Sequence, residues 1–209
     1  MTLLHSPSRA YNCGVAHPRV TADVLQLAQA LGPLPEPVAE PVLVVVTGLP
    51  GTGKSYFSRK LAERLPCAIV ESDAVRRRLF GSPTYSAGES QRVFAACHSL
   101  IDLLLRRGIG LIFDATNIME QHRQPLYAIA ERHSVKLIVV EAEAPPEVVR
   151  ERLERRLGGR SGLDNSEADW SVYQAMRVRR QRIRRSHHRV DTSGDIAPVI
   201  EKVVREARR

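Results

Sequence analysis

From Val42 onward short apolar runs alternate with longer stretches of helical periodicity, the pattern of a parallel sheet covered by helices on both faces. Five runs read as strands: Val42–Thr47, Ala68–Glu71, Gly110–Phe113, Val135–Glu141 and His188–Asp191. Helix-compatible sequence follows each. The segment from Lys54 turns Phe57, Leu61 and Leu65 inward, and the one from about Ser90 to Arg107 presents Val93, Phe94, Cys97, Ile101, Leu104 and Leu105 at helical spacing. The expected class is α/β, with right-handed crossovers and ligands at the carboxyl ends of the strands.

Residues 1–41 have a different texture. Val24, Leu25, Leu27, Ala28 and Leu31 form a short amphipathic pattern, and Gly32, Pro33, Pro35, Pro37 and Pro41 then enforce an extended linker. We therefore divide the chain into an arm and Pro-rich linker, 1–41, and a single catalytic-type domain, 42–209. The arm can be disordered, or can pack on the main domain or on a partner.

The first chemical signal is Gly48-Leu49-Pro50-Gly51-Thr52-Gly53-Lys54-Ser55, which fits G-x-x-x-x-G-K-[ST] between a predicted strand and helix. Glycines let successive N–H groups turn toward one anion, and the helix adds its positive end. The cradle comprises Gly48, Pro50, Gly51, Thr52, Gly53, Lys54, Ser55 and the adjoining Tyr56. Lys54 reaches the β- and γ-phosphates of a nucleoside triphosphate, and the Ser55 hydroxyl ligates magnesium.

A phosphate loop alone is shared by kinases, GTPases and motor ATPases, so the later strand ends decide among them. After the second strand comes Ser72-Asp73-Ala74-Val75-Arg76, where Asp73 can accept a proton from an attacking hydroxyl and Arg76 can hold an acceptor oxygen. Ser72 or Asp73 can equally cap the following helix. After the third strand comes Asp114-Ala115-Thr116-Asn117. Asp114 has the form of a carboxylate that supports magnesium through Ser55 or water, while Thr116 and Asn117 either orient substrate or make a turn. Between Val149 and Asp169 a helix bearing Arg150, Arg152, Arg155 and Arg156 runs into Gly158-Gly159-Arg160-Ser161-Gly162 and reads as a lid. Arg152, Arg156 and Arg160 share one side of that helix and its exit, placed to neutralise a moving phosphoryl group. Glu151 and Glu154 balance part of the charge as a solvated helix would.

The net charge of +8 is carried almost wholly by arginine, since the chain has only the lysines Lys54, Lys60, Lys136 and Lys202. Arginine forks suit phosphate oxygens, though genome composition can produce the same bias. The arginines after Trp170, Tyr173 and Met176 (Arg177, Arg179, Arg180, Arg182, Arg184, Arg185) read as a continuing helix with a thin apolar stripe, open to polyanion binding or to solvation. Cys13, Cys67 and Cys97 are too scattered for a zinc site or a disulfide framework, and His98, His187 and His188 read as structural. No run approaches a bilayer span and no secretory leader is evident, so a cytoplasmic location with no membrane partner is expected.

These motifs, in this order across Val42 to Asp191, resemble the P-loop kinases related to the kinase domain of polynucleotide 5′-hydroxyl kinases, with zeta-type toxins and gluconate-type kinases as more distant relatives. The resemblance rests on GLPGTGKS, the Asp-x-x-Arg of Asp73 and Arg76, the Asp-x-Thr-Asn of Asp114 to Asn117, and the arginine-bearing lid. It implies a P-loop NTPase three-layer fold with a five-stranded parallel sheet in the order 2-3-1-4-5, ATP and Mg2+ as cofactors, Asp73 as general base, and Arg76 holding an acceptor phosphate. The expected activity is transfer of the γ-phosphoryl group of ATP to a hydroxyl on a polynucleotide 5′ end or a small metabolite. Lys54, Asp73, Arg76 and Arg156 are the expected catalytic residues; Asp73, Arg76, Thr116 and Asn117 meet the acceptor. The competing reading is a nucleotide-dependent switch that hydrolyses ATP slowly and phosphorylates nothing. The acceptor and the oligomeric state are not legible.

Overall fold

The computed structural model describes residues 18–158 and 168–209. In chain order the elements are α1 (Pro18–Ala30), β1 (Val42–Thr47), α2 (Lys54–Ala62), β2 (Ala68–Glu71), α3 (Ser72–Phe80), α4 (Ala87–Arg106), β3 (Leu111–Asp114), α5 (Glu120–His133), β4 (Lys136–Glu143), α6 (Pro146–Gly158), α7 (Trp170–Arg179), β5 (His188–Asp191) and α8 (Ala197–Ala207). The sheet runs β2-β3-β1-β4-β5, and every neighbouring pair is parallel. Register pairs Val46 with both Asp114 and Val140, which brings the carboxyl end of β1 level with that of β3.

Every residue of β1 is buried, as a central parallel strand with both faces covered requires. Its side chains alternate between two apolar layers. Leu43 and Val45 join Phe113, Val75, Leu100, Leu104 and Leu126 beneath α3, α4 and α5. Val42, Val44 and Val46 join Phe57, Leu61, Val140, Ile200, Val203 and Val204 beneath α2 and α8. A smaller cluster of Leu49, Ile118, Val149, Leu153 and Tyr173 ties the phosphate loop to α6 and α7.

Helix α1 packs against the domain. Val24 and Leu27 sit in the first apolar layer, and buried Asp23 accepts both forks of Arg92 from α4, at 2.8 and 2.6 Å. The proline linker also runs on the domain surface. The Val38 N–H donates to the Gly108 carbonyl at 2.8 Å, where a left-handed glycine ends α4. Of the fates open to the segment before Val42, packing on the domain is realised over its described part.

Strand β3 extends to Asp114 and β4 to Glu143, each shifted along the chain from the expected bounds. The arginine-rich helix is a larger correction. Helix α7 ends at Arg179, and 180–187 is a non-helical strap. Tertiary contacts account for the break. Arg180 pairs with Glu141 and Glu143 on β4, Ile183 is buried against Tyr127 and Val139, and Arg185 lies over the Tyr127 ring and beside Glu131.

Candidate active site

At the carboxyl ends of β1, β2 and β3 lies a cleft of about 520 Å³. Its lining includes Pro50, Gly51, Gly53, Lys54, Ser55 and Tyr56 from the phosphate loop and α2, Asp73 from α3, Asp114 and Thr116 after β3, and Arg152, Arg155 and Arg156 from α6. Residues up to 144 positions apart in the sequence, from Pro50 to Gly194, thus share one concavity, where a parallel sheet of this type collects its ligands.

The glycines of the loop are held by close neighbours as well as by backbone angle. Gly53 has φ 78°, and a Cβ there would lie 2.7 Å from Thr192 Oγ1. At Gly48 a Cβ would lie 2.3 Å from the Ala142 carbonyl oxygen on β4. The loop base is stitched to β3, with the Gly48 N–H and the Thr47 hydroxyl both donating to the Thr116 carbonyl at 3.2 and 2.7 Å. Thr52 donates its N–H and hydroxyl to the Leu49 carbonyl, at 3.3 and 2.8 Å. Lys54 Nζ donates to the same oxygen at 3.1 Å, so the ammonium is folded back on the loop within the cleft. Helix α2 begins at Lys54, directing its positive end at the cradle.

Asp114 is 4% exposed. Burial pushes its carboxyl up to about 6, against the opposing pull of the Lys54 charge and a hydrogen bond from Ser55, while Glu71 and Asp73 push it further up. Its Oδ2 is buried with no protein hydrogen-bond partner. A hydroxyl and a carboxylate in contact, with one oxygen left without a donor, fit a hard cation that completes its shell with waters and phosphate oxygens. Among the described residues no group of three or more acidic, histidine or cysteine side chains could hold a metal alone. The Ser55–Asp114 pair thus fits two positions of a cation shell whose remaining ligands would come from elsewhere.

Asp73 stands in the first turn of α3, one residue past its neighbour Ser72 on the cleft wall. The N-cap position of α3 is Glu71, whose side chain makes no cap bond, so neither Ser72 nor Asp73 occupies the cap position. Arg76 lies elsewhere. It is 6% exposed, donates to Glu89 at 3.4 Å and Ser90 at 3.2 Å, and sits 4.8 Å from the Tyr85 ring. The same Glu89 carboxylate accepts from the Thr84 and Tyr85 backbones, fixing the loop before α4. Asn117 is 1% exposed and outside the cleft lining, with φ 41° and both amide atoms lacking a partner. Gly48 and Thr52 lie outside the cleft lining, and Arg160 lies outside the described residues.

The arginines of α6 have different duties. Arg155 is exposed and pairs with Glu151, and Arg156 is partly buried on the cleft wall. Arg152 donates to the hydroxyl and carbonyl of Thr192 at 2.9 and 2.8 Å and to the Gly51 carbonyl at 3.4 Å. Sequence reasoning missed Thr192, Glu71 and Arg59, all of which line the cleft. Glu71 and Thr192 stand at strand ends and were detectable by that position alone; Arg59 lies one turn past Ser55 on α2 and carried no motif.

A phosphate loop at the carboxyl edge of a 2-3-1-4-5 parallel sheet, with a hydroxyl-carboxylate pair beside it, defines a P-loop nucleotide-binding protein of kinase-like fold. The match to the AAA_33 family, an AAA domain, covers residues 43–183, and the chain belongs to that family. An uncharacterised protein of Mycobacterium tuberculosis is 30% identical over 164 residues, 73% of this chain and 32% of the relative. Rat 6-phosphofructo-2-kinase/fructose-2,6-bisphosphatase 1 is 27% identical over 149 residues, 63% of this chain and 32% of the relative. The chain therefore spans about a third of the length of these relatives. The APS kinase of Mycobacterium tuberculosis, solved with AMPPNP and APS, superposes with a TM-score of 0.61 at 18% identity, covering 85% of this chain and all of that one. Among the described residues no helix is long and apolar enough to cross a membrane.

Proposed function

We propose that this chain is an ATP-dependent kinase that transfers the γ-phosphoryl group to a hydroxyl acceptor. The observation that carries the reading is the convergence of Asp73, Lys54, Ser55, Asp114 and Arg156 on one cleft. The cradle binds the triphosphate, and Lys54 exchanges the Leu49 carbonyl for phosphate oxygens. Asp73 accepts the proton of the acceptor hydroxyl as its oxygen bonds to the γ-phosphorus. The bond from that phosphorus to the bridging oxygen breaks and ADP departs. Arg156 offsets charge spreading over the moving group. Magnesium, held through Ser55 and Asp114, would supply electrostatic neutralisation of the phosphates.

Of the two acceptor classes, a small hydroxylated metabolite is favoured over a polynucleotide end. An arginine meant to grip an acceptor phosphate should face the cleft, whereas Arg76 is turned into its contact with Glu89. The test is a screen of labelled ATP against sugars, nucleosides and 5′-hydroxyl oligonucleotides, with Asp73→Asn alongside. A labelled metabolite, together with a loss of turnover on the order of 10² to 10⁴-fold in the variant at unchanged ATP affinity, is expected. Slow hydrolysis with no acceptor labelled would replace the kinase by the nucleotide-dependent switch, and undiminished transfer by the variant would remove Asp73 from its role.

A further inference from the structure

We infer that Thr192 is a positioning residue for the nucleotide cradle, acting through the Thr52 peptide and through Arg152; the inference rests on the nucleotide-binding reading of the loop. Thr192 directly follows β5 and is 5% exposed. Its N–H donates to the Glu143 carbonyl at 2.9 Å, which anchors it to the end of β4. Its hydroxyl donates to the Thr52 carbonyl at 2.8 Å and accepts from Arg152 at 2.9 Å. Arg152 also grips the Thr192 carbonyl and reaches the Gly51 carbonyl. One hydroxyl thus joins the sheet, the phosphate loop and α6.

Peptide planarity turns this junction into a pointing device. In a trans peptide the carbonyl and the following N–H face opposite ways. Pinning the Thr52 carbonyl on Thr192 therefore aims the Gly53 N–H away from β5, toward the space an anion must occupy. Gly53 lies close against Thr192, since a Cβ placed there would lie 2.7 Å from the hydroxyl, so the junction leaves room for glycine alone. Arg152 also reaches the preceding carbonyl, that of Gly51, while its charge stays on the cleft wall. In this arrangement Arg152 supports the cradle from behind.

Valine matches threonine in shape and lacks the donor. Thr192→Val is expected to weaken Mg-ATP binding and raise KM for ATP by about tenfold, the usual consequence of orphaning a buried carbonyl and a guanidinium. Chemistry on bound nucleotide is unaffected, so kcat changes far less than KM. Thr192→Ser restores affinity to near that of the parent protein. In a double-mutant cycle Thr192→Val and Arg152→Met are non-additive, since both break one junction. Calorimetry with Mg-ATP reads the affinities, and a thermal melt confirms that each variant is folded; Thr192→Ala, which adds no bulk, is the substitute where valine fails to fold. If the parent protein binds Mg-ATP and the folded Thr192 variants bind it equally well, the positioning role is wrong. If the parent protein itself shows no binding, the nucleotide reading falls, and this inference with it.

Discussion

Asp114 shows how one buried carboxyl can set a pH limit. Its folded-state pKa, about 6, lies above the ordinary 3.8, so the native state holds the proton longer than the unfolded chain does. Stability from this group therefore falls as pH rises from about 4 to about 6, by on the order of 3 kcal/mol in the metal-free protein. Asp114→Asn is expected to flatten that part of the stability-pH profile, measured by urea unfolding at steps between pH 4 and 7. Magnesium needs the ionised form, so nucleotide affinity in magnesium should weaken as pH drops below about 6. At Gly53 two constraints coincide, a left-handed φ and a neighbour at 2.7 Å. Gly53→Ala should abolish Mg-ATP binding by calorimetry even where the variant still folds. The motif identified this glycine from the sequence, but only the fold shows which side chain crowds it. Arg76 illustrates the reverse. Its position after Asp73 suited an acceptor contact, and nothing in the local sequence announced that Glu89 would reach back to it.

At the scale of elements, pattern was informative wherever burial was two-sided. The six buried residues of β1 could be little else than a central strand. The arginine-rich strap was misread because its determinants are not local. Its path is set by partners on β4 and α5, chiefly by Arg123, which is 1% exposed. Arg123 donates to the Asn117, Gln181 and Arg182 carbonyls and to Glu120, tying the β3–α5 connection to the strap. Arg123→Met keeps the packing volume and abandons those carbonyls, so a loss of about 3 kcal/mol is expected from chemical denaturation. Helix α1 is held by an ion pair and two buried apolar side chains. Leu27→Ala should cost about 2–4 kcal/mol in the same assay, whereas a helix lying free of the domain would give almost none.

At the scale of the whole molecule, strand order and cleft position follow from the alternation of strands with helices together with the phosphate loop. The acceptor does not, because its specificity depends on which side chains from α3, α4 and the β3 exit face one another. The arrangement of the sheet also governs how the chain can be made. β1 emerges first among the strands yet lies between β3 and β4, so its two edges wait for partners translated some 70 to 100 residues afterwards. Its second face waits longer still, for Ile200, Val203 and Val204 on α8. A ribosome-bound chain halted before α8 would display Val42, Val44 and Val46 beneath an incomplete roof, a sticky intermediate suited to capture by chaperones. Synthesis speed and chaperone supply would then decide the yield of folded protein long before any nucleotide is met.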